Sequence, residues 1–205
     1  MTVTYFPVGE LRANCVLLCD GNGHAAVVDP GGEAERILEK LRSMGATVDV
    51  ILLTHAHFDH MLGVRDLQAA TGAPLFVHED DAPALSDASL NLMSMVCEPY
   101  ALSADRLLKD GDALSVGTDT WTVLHTPGHT RGSVCYYGDG TLVSGDTLFA
   151  GSMGRTDLPG GSTTQMVQSL RRLSELPESV RVIPGHGEET TIGFERRYNP
   201  FLMGN

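Results

Sequence analysis

The feature that most constrains this chain is a group of ligand-type side chains placed directly after an apolar segment. The run Val48–Leu53 is rich in β-branched and aliphatic residues and predicts a buried strand. His55, His57, Asp59 and His60 follow within six residues. Alternate residues of an extended chain share a face, so His55 and His57 can approach one cation, while Asp59 and His60 turn toward a second. Such a cluster next to an apolar strand needs a compensating cation, and it predicts a metal centre.

Three further ligand candidates occupy similar positions later in the chain. His129, Asp146 and His186 each follow a predicted strand and each has a neighbouring glycine, which permits the tight turns that aim a side chain inward. Imidazole and carboxylate donors suit zinc, iron or manganese, and the seven candidates divide into two sites that share one carboxylate. The remaining histidines are interpreted as ordinary core or surface residues: His24, His78 and His125.

The periodicity of the chain predicts two strand-rich halves with helices between and after them. Strands are expected at 2–8, 15–19, 24–29, 48–53, 73–77, 114–116, 121–124, 134–137, 141–144 and 180–183. Helices are expected at 33–44, 61–71 and 163–173. Residues 80–105 have no clear period and are either helical turns beside a cleft or a packed loop. The pattern favours two sheets packed face to face with helices outside, in a single domain over residues 1–205.

Composition limits the partners and the compartment that we expect. The formal charge of −12 argues against a nucleic-acid binder, because phosphate recognition needs a basic face. No segment reaches the roughly 18 apolar residues that a membrane span requires, and the N-terminus has no signal-peptide pattern, so we expect a cytoplasmic protein without membrane contact. The four cysteines are expected to be reduced, buried and not nucleophilic: Cys15, Cys19, Cys97 and Cys135.

The motifs resemble those of a known family. The H-x-H-x-D-H run at 55–60, with the later segments 128–130 (Gly-His-Thr), 145–147 (Gly-Asp-Thr) and 185–187 (Gly-His-Gly), is similar to the pattern of the metallo-β-lactamase superfamily. Within it, the chain most resembles short, single-domain bacterial proteins of the glyoxalase II type. The resemblance spans nearly the whole chain. It implies a four-layer αββα sandwich of the α/β (α+β) class, with two divalent metal ions at one edge of the sheets. Zinc is the expected metal, and iron and manganese are the alternatives.

The resemblance also implies a role for each ligand. His55, His57 and His129 would hold the first metal, Asp59, His60 and His186 the second, and Asp146 would bridge them. Asp59 and Asp146 would also act in catalysis by steering the proton of the attacking water. Asp29 resembles the carboxylate that orients the H-x-H turn, although a turn residue before Pro30 has the same appearance.

The function implied is that of a dinuclear metal-dependent hydrolase of small-molecule esters or thioesters, such as S-2-hydroxyacylglutathione. Arg155 lies near the position where such enzymes place a basic residue for the substrate carboxylate, and Arg131 follows His129; both are otherwise solvated surface arginines. Full-length glyoxalase II has an additional C-terminal helical domain that grips glutathione. We do not expect that domain within these 205 residues, which leaves glutathione recognition open.

Several other functions use the same motifs. Persulfide dioxygenases share the fold and the segment 154–157 (Gly-Arg-Thr-Asp), and they use one iron, held here by His55, His129 and Asp146. His186 favours the hydrolases instead. A lactonase or another ester hydrolase is a further alternative. True β-lactamases usually lack an aspartate at the bridging position, the charge of −12 disfavours the nuclease branch, and a purely structural site would be closed by four ligands. The oligomeric state is left open.

Overall fold

Residues 1–203, which the computed structural model describes, form two six-stranded sheets and a short hairpin, flanked by helices. The strands are β1 (Thr2–Val8), β2 (Ala13–Cys19), β3 (His24–Val28), β4 (Thr47–Leu52), β5 (Leu75–His78), β6 (Arg106–Leu108), β7 (Ala113–Val116), β8 (Asp119–His125), β9 (Val134–Gly138), β10 (Thr141–Gly145), β11 (Leu148–Phe149), β12 (Ser152–Met153), β13 (Arg181–Pro184) and β14 (Thr190–Thr191). The α-helices are α1 (Ala34–Ser43), α2 (Phe58–Met61), α3 (Val64–Thr71), α4 (Thr163–Ser174) and α5 (Ile192–Tyr198).

The two large sheets divide the chain between them. The first has the order β1-β2-β3-β4-β5-β6, with antiparallel pairing from β1 to β3 and parallel pairing from β3 to β6. The second has the order β14-β13-β10-β9-β8-β7, in which β10 and β13 are parallel and the other pairs are antiparallel. Strands β8, β10 and β13 therefore run in the same direction and end at the same edge.

The central strands are buried on both faces, and their alternate residues belong to two different layers. In β2, Cys15 and Leu17 face a cluster that includes α1 and α3, while Val16 and Leu18 face the second sheet. The inter-sheet cluster contains the fully buried Trp121 of β8. A third cluster joins the outer face of the second sheet to α4 and α5. The result is an αββα sandwich, and the predicted fold class is confirmed.

Helix α1 illustrates how local sequence produces these layers. Its buried residues Ile37, Leu38 and Leu41 recur at helical spacing and form one apolar face. Lys40 and Arg42 lie in the last turn, where positive charge interacts favourably with the helix dipole. The helix ends before Gly45, whose φ of 66° is the left-handed conformation that glycine adopts at low cost.

The structure differs from the predicted elements in several places. The helix expected at 61–71 is two helices, α2 and α3, separated at Gly63, whose N–H donates to the Pro30 carbonyl. The uncertain segment 80–105 contains two short 3₁₀ helices, Ala82–Leu85 and Met93–Met95. Strands β6, β11, β12 and β14 and helix α5 were not predicted. Cys97 is exposed, so the prediction that every cysteine is buried was wrong; the other three are buried free thiols.

Two expectations concern the whole chain. None of the helices within residues 1–203 is long and apolar enough to cross a bilayer. The single-domain organisation and the cytoplasmic location stay predictions.

Candidate metal centre

The candidate site lies where five strands end. Asp29 follows β3, the segment 55–60 follows β4, His129 follows β8, Asp146 follows β10 and His186 follows β13. Because these strands are parallel within each sheet, their carboxyl ends lie at one edge. The topology thus brings together side chains that are more than 120 residues apart in the sequence.

The first group of side chains consists of three buried histidines. His55, His57 and His129 each offer one ring nitrogen, and these nitrogens all lie within 4.8 Å of one another. His57 Nδ1 and His129 Nε2 are 2.9 Å apart. The other ring nitrogen of His129, Nδ1, donates to the carbonyl of Arg155 at 2.7 Å, which leaves the lone pair of Nε2 directed into the site.

The second group contains Asp59, His60 and His186, again with ligand atoms within 4.8 Å of one another. His186 Nε2 is 3.2 Å from Asp59 Oδ2, and His60 Nε2 is 3.7 Å from the same oxygen. Asp146 lies between the two groups. Its Oδ1 is 3.5 Å from His60 Nε2, and its Oδ2 is 3.5 Å from His129 Nε2. The structure therefore brings all seven predicted ligands together.

Unpaired polar atoms show that this space suits a cation. Within residues 1–203, the buried side-chain nitrogen and oxygen atoms without a hydrogen-bond partner are His55 Nε2, His57 Nε2, His60 Nε2 and Asp146 Oδ1. Buried polar groups are normally paired, because each unpaired one costs about 1–3 kcal/mol. All four atoms belong to the seven predicted ligands. A donor set of imidazoles and carboxylates that lacks partners fits divalent metal ions.

A buried hydrogen-bond chain fixes which histidine nitrogens are free. The Thr54 hydroxyl donates to Asp29 Oδ2 at 2.6 Å and lies 3.1 Å from His55 Nδ1. Since a hydroxyl has one proton, His55 Nδ1 must be the donor in the second contact, and the lone pair is on Nε2. His60 Nδ1 is 2.9 Å from Asp29 Oδ2, so its Nε2 also faces the site. Asp29, which is 1% exposed, thus contacts Thr54, the neighbour of His55, and the ring of His60.

Burial and charge divide the two groups electrostatically. Burial lowers the pKa of His57 to about 3 and holds the pKa of His55 well below its usual value. Burial acts in the same direction on His60, but the surrounding carboxylates, first of all Asp59, outweigh it and raise its pKa to about 10. Burial likewise opposes the charge on His186, whose hydrogen bond with Asp59 raises its pKa. Burial therefore keeps the imidazoles of His55 and His57 neutral, whereas the carboxylates of the second group favour positive charge on its two histidines.

Glycines allow the ligand loops to approach closely. A Cβ on Gly185 would lie 2.1 Å from Asp146 Oδ1 and 2.9 Å from the His60 ring. A Cβ on Gly145 would lie 2.4 Å from the Thr54 hydroxyl oxygen. Any larger residue would displace the ligands. The 185–187 turn is held by Asn14, a buried residue whose side chain donates to the carbonyls of Pro184 and Gly187, a role that the sequence did not reveal.

The two predicted substrate arginines have different surroundings. The Arg155 guanidinium makes a two-point contact with Asp157, at 2.7 and 2.8 Å, on an exposed surface. Arg131 is exposed and lines a pocket beside His57. Among the residues that the structure describes, no carboxylate pairs with Arg131. Its charge is therefore free to meet an anion.

The three histidines left out of the predicted ligand set lie elsewhere. His24 is exposed and contacts Asp49 at 2.8 Å. His78 and His125 stack on each other with ring centroids 4.0 Å apart. One ring nitrogen of each contacts the backbone, since the N–H of Asp80 donates to His78 Nδ1 and His125 Nε2 donates to the Arg131 carbonyl. Together with Asp80 they form a separate group of ligand-type side chains, away from the seven predicted ligands.

Two helix-covered sheets with a centre of histidine and aspartate at one edge define a protein of the metallo-hydrolase class. The chain belongs to the metallo-beta-lactamase superfamily, whose model matches residues 8–186. The family prediction is confirmed. The chain is 41% identical to the probable metallo-hydrolase YqgX of Bacillus subtilis over 203 residues, covering 97% of this chain and 96% of that protein. It is 34% identical to the hydroxyacylglutathione hydrolase GloC of Haemophilus influenzae over 208 residues, 98% of each.

Solved structures agree with this membership. BLEG-1, described as a B3 metallo-beta-lactamase, superposes with a TM-score of 0.94 at 40% identity and covers 99% of this chain and 100% of its own. TTHA1623 in a di-iron-bound form superposes with a TM-score of 0.88 at 40% identity, covering 98% of this chain and 100% of that chain. ETHE1 from Myxococcus xanthus superposes with a TM-score of 0.85 at 28% identity, covering 100% of this chain and 86% of that chain. The superfamily is one of metal-dependent hydrolases that bind metal through histidine and aspartate.

Proposed function

We propose that this protein is a dinuclear metal-dependent hydrolase of small thioesters, with S-2-hydroxyacylglutathione as the model substrate. The observation that carries the hydrolase proposal is the pair of ligand groups that share Asp146. The GloC relative, 34% identical over 98% of both chains, supports the thioester class. In this proposal zinc is the first choice of metal, and iron and manganese are the alternatives.

The seven side chains would hold two ions in the way that their grouping suggests. His55, His57 and His129 would bind the first, Asp59, His60 and His186 the second, and Asp146 both. When bound, two divalent ions supply a hydroxide nucleophile at neutral pH and polarise the substrate carbonyl. Asp29 would keep His60 and the turn before His55 in place.

The two site aspartates would direct the reacting groups. Asp59 Oδ2 and Asp146 Oδ2 lie 3.2 and 3.7 Å from His186 Nε2, at the side where the two groups meet. Their carboxylates would accept the proton that the attacking water loses and would orient the oxygen of the resulting hydroxide toward the carbonyl carbon. A thiolate leaving group needs little help from an acid, because its conjugate thiol has a pKa of about 8.5. This chemistry matches a site that is rich in metal ligands.

A pocket beside His57 indicates the size of the acyl group. Its volume is about 120 Å³, and Ala56, Pro83, Ala84 and Leu90 contribute apolar walls. A cavity of about 150 Å³ is enough to hold a benzene ring. The pocket would therefore accept an acyl group of a few carbon atoms.

The strongest rivals use the same fold differently. A mononuclear iron dioxygenase would need only His55, His129 and Asp146, whereas a hydrolase has a use for Asp59, His60 and His186 as well. The 28% identity to ETHE1 does not favour the dioxygenase over the hydrolase. The 40% identity to BLEG-1 makes a β-lactam a necessary comparison substrate.

Metal content and substrate preference measured together test the proposal. The protein purified without added metal is analysed for zinc, iron and manganese, and is then assayed with S-lactoylglutathione, a long-chain acyl thioester, a cephalosporin and glutathione persulfide. We expect about two ions per chain and fastest hydrolysis of the short acyl thioester. One iron per chain with oxygen uptake on the persulfide would contradict the proposal, and so would preferred hydrolysis of the cephalosporin.

Arg131 should contribute more to substrate binding than Arg155. We expect Arg131→Ala to raise KM for S-lactoylglutathione about 10-fold with little change in kcat, because a charge-assisted hydrogen bond contributes about 1.5–3 kcal/mol. Arg155→Ala should change KM less, since its guanidinium is already paired with Asp157. Steady-state kinetics of both variants measure the difference. Arg65→Ala, an exposed arginine on α3, is the control; equal effects of all three substitutions would refute a specific role for Arg131.

A further inference from the structure

Asp81 is a buried carboxylate that contacts two ligand loops at once. Its side chain is 2% exposed. Its Oδ2 accepts a hydrogen bond from the N–H of Ala56, between His55 and His57, at 2.9 Å. The same oxygen accepts from the Thr130 hydroxyl, next to His129, at 2.8 Å.

The second oxygen of Asp81 holds the same loop after Thr130. The N–H of Gly132 donates to Asp81 Oδ1 at 2.7 Å. Gly132 is necessary for this contact, because a Cβ at that position would lie 2.4 Å from the Asp81 backbone nitrogen. Ser133 completes the arrangement, since its hydroxyl lies 2.7 Å from that of Thr130.

Only a carboxylate satisfies this set of donors. The two backbone N–H groups come from different loops and approach different oxygens of Asp81. An asparagine amide offers one oxygen, so its NH₂ group would face one of these N–H donors. A buried donor left without an acceptor costs about 1–3 kcal/mol. The chemistry of residue 81 therefore affects the relative positions of the two loops.

We propose that Asp81 is a positioning residue that holds the His55–His57 loop and the His129 loop at the separation needed to bind the first metal ion. The inference rests on the proposed metal centre. His57 Nδ1 and His129 Nε2, which lie 2.9 Å apart, are the ring nitrogens whose spacing depends on this contact. Asp29 contacts the other side of the segment through Thr54 and His60, and so supports the turn before His55 as well as the second group. Among the residues that the structure describes, the Asp81 carboxylate accepts hydrogen bonds only from the loops of the first group.

Metal affinity of Asp81→Asn and Asp81→Ala tests this role. Zn²⁺ binding to each metal-free variant is measured by competition with a chromophoric chelator, and the Co²⁺-loaded proteins are compared by visible absorption. We expect affinity for one of the two ions to fall about 10–100-fold, as is usual when the partner of a metal ligand is lost, and affinity for the other to stay unchanged. The Co²⁺ spectrum should change with it.

Matched variants separate positioning from general stability. Glu195→Gln is the control, because Glu195 is equally buried and accepts hydrogen bonds from Gly151, Thr190 and Asn199. It should lower thermal stability without changing Zn²⁺ affinity. Thr130→Val keeps the side-chain volume and removes one hydrogen-bond donor to Asp81. It tests the same contact if Asp81→Ala does not fold. We expect Zn²⁺ affinity to fall by less than about 10-fold in this variant.

The outcomes distinguish the inference from the proposed function. Two tightly bound ions in the Asp81→Asn and Thr130→Val variants, with wild-type affinities, would overturn the role of Asp81 and leave the hydrolase proposal intact. Failure of the wild-type protein to bind two ions would overturn the metal centre itself.

Discussion

Asp146→Ala should abolish thioester hydrolysis while leaving the metal-free protein folded. Asp146 Oδ1 has no hydrogen-bond partner, although it is buried, so its removal leaves no protein donor unpaired at that atom. The carboxylate contacts both ligand groups, at 3.5 Å from His60 and from His129. Loss of an indirect partner of a metal ligand costs about 10–100-fold in affinity or activity, so loss of a shared ligand should lower kcat/KM by more than about 100-fold.

Three measurements on the Asp146→Ala protein check this expectation. Steady-state kinetics should show the loss of activity, elemental analysis should show fewer than two ions per chain, and thermal unfolding without metal should match the wild type within a few degrees. Asp66→Ala, which alters an exposed carboxylate on α3, should change none of them. A variant that kept full activity would rule out the shared role of Asp146. An Asp146→Ala variant that unfolded without metal would show that Asp146 is needed for folding.

Asp29→Ala should destabilise the fold itself. Asp29 is buried and accepts hydrogen bonds from the backbone and hydroxyl of Thr54, at 2.7 and 2.6 Å, and from His60 at 2.9 Å. Its removal leaves three buried donors without an acceptor. Breaking a buried ionic contact by removing one partner costs about 3–5 kcal/mol. We expect the free energy of unfolding of the metal-free protein to fall by about that amount, measured by urea denaturation.

An exposed pair of the same chemistry is the control for Asp29. Asp49 contacts His24 at 2.8 Å, but both side chains are exposed, by 39% and 51%. Exposed ion pairs contribute about 0–1 kcal/mol, so Asp49→Ala should change the free energy of unfolding by less than about 1 kcal/mol. Similar losses in the two variants would mean that burial does not set the contribution of Asp29.

The sequence was most informative where chemistry and local pattern coincide. The dense 55–60 segment follows an apolar strand, and His129, Asp146 and His186 each stand beside glycine at a strand end. These local signals predicted side chains that the structure places in one cluster. Their role as metal ligands stays a prediction. The packing of two sheets with helices outside was also predictable, because the chain has two strand-rich halves with helices between and after them. The apolar run of β4 indicated a strand that is buried on both faces.

Features that depend on distant contacts were not predictable in this way. Asp81 stands in the segment without clear periodicity, and its contacts with Ala56 and Gly132 join residues 25 and 51 positions away. Strand β6 has only three residues, two of them exposed, and it exists because it pairs with β5. Helix α5 contains Gly193, which lowers helix propensity, and it is held by its N-terminal Thr191 and by packing of Ile192.

The positions of the seven candidate ligands have a consequence for how new specificities arise on this architecture. Every ligand follows the end of a strand, whereas Pro83, Ala84 and Leu90, which line the pocket, belong to a stretch that supplies none. Insertions or substitutions within 82–104 can therefore change the shape of the pocket and leave the seven candidate ligands in place. Evolution can replace one substrate by another here without rebuilding the chemistry.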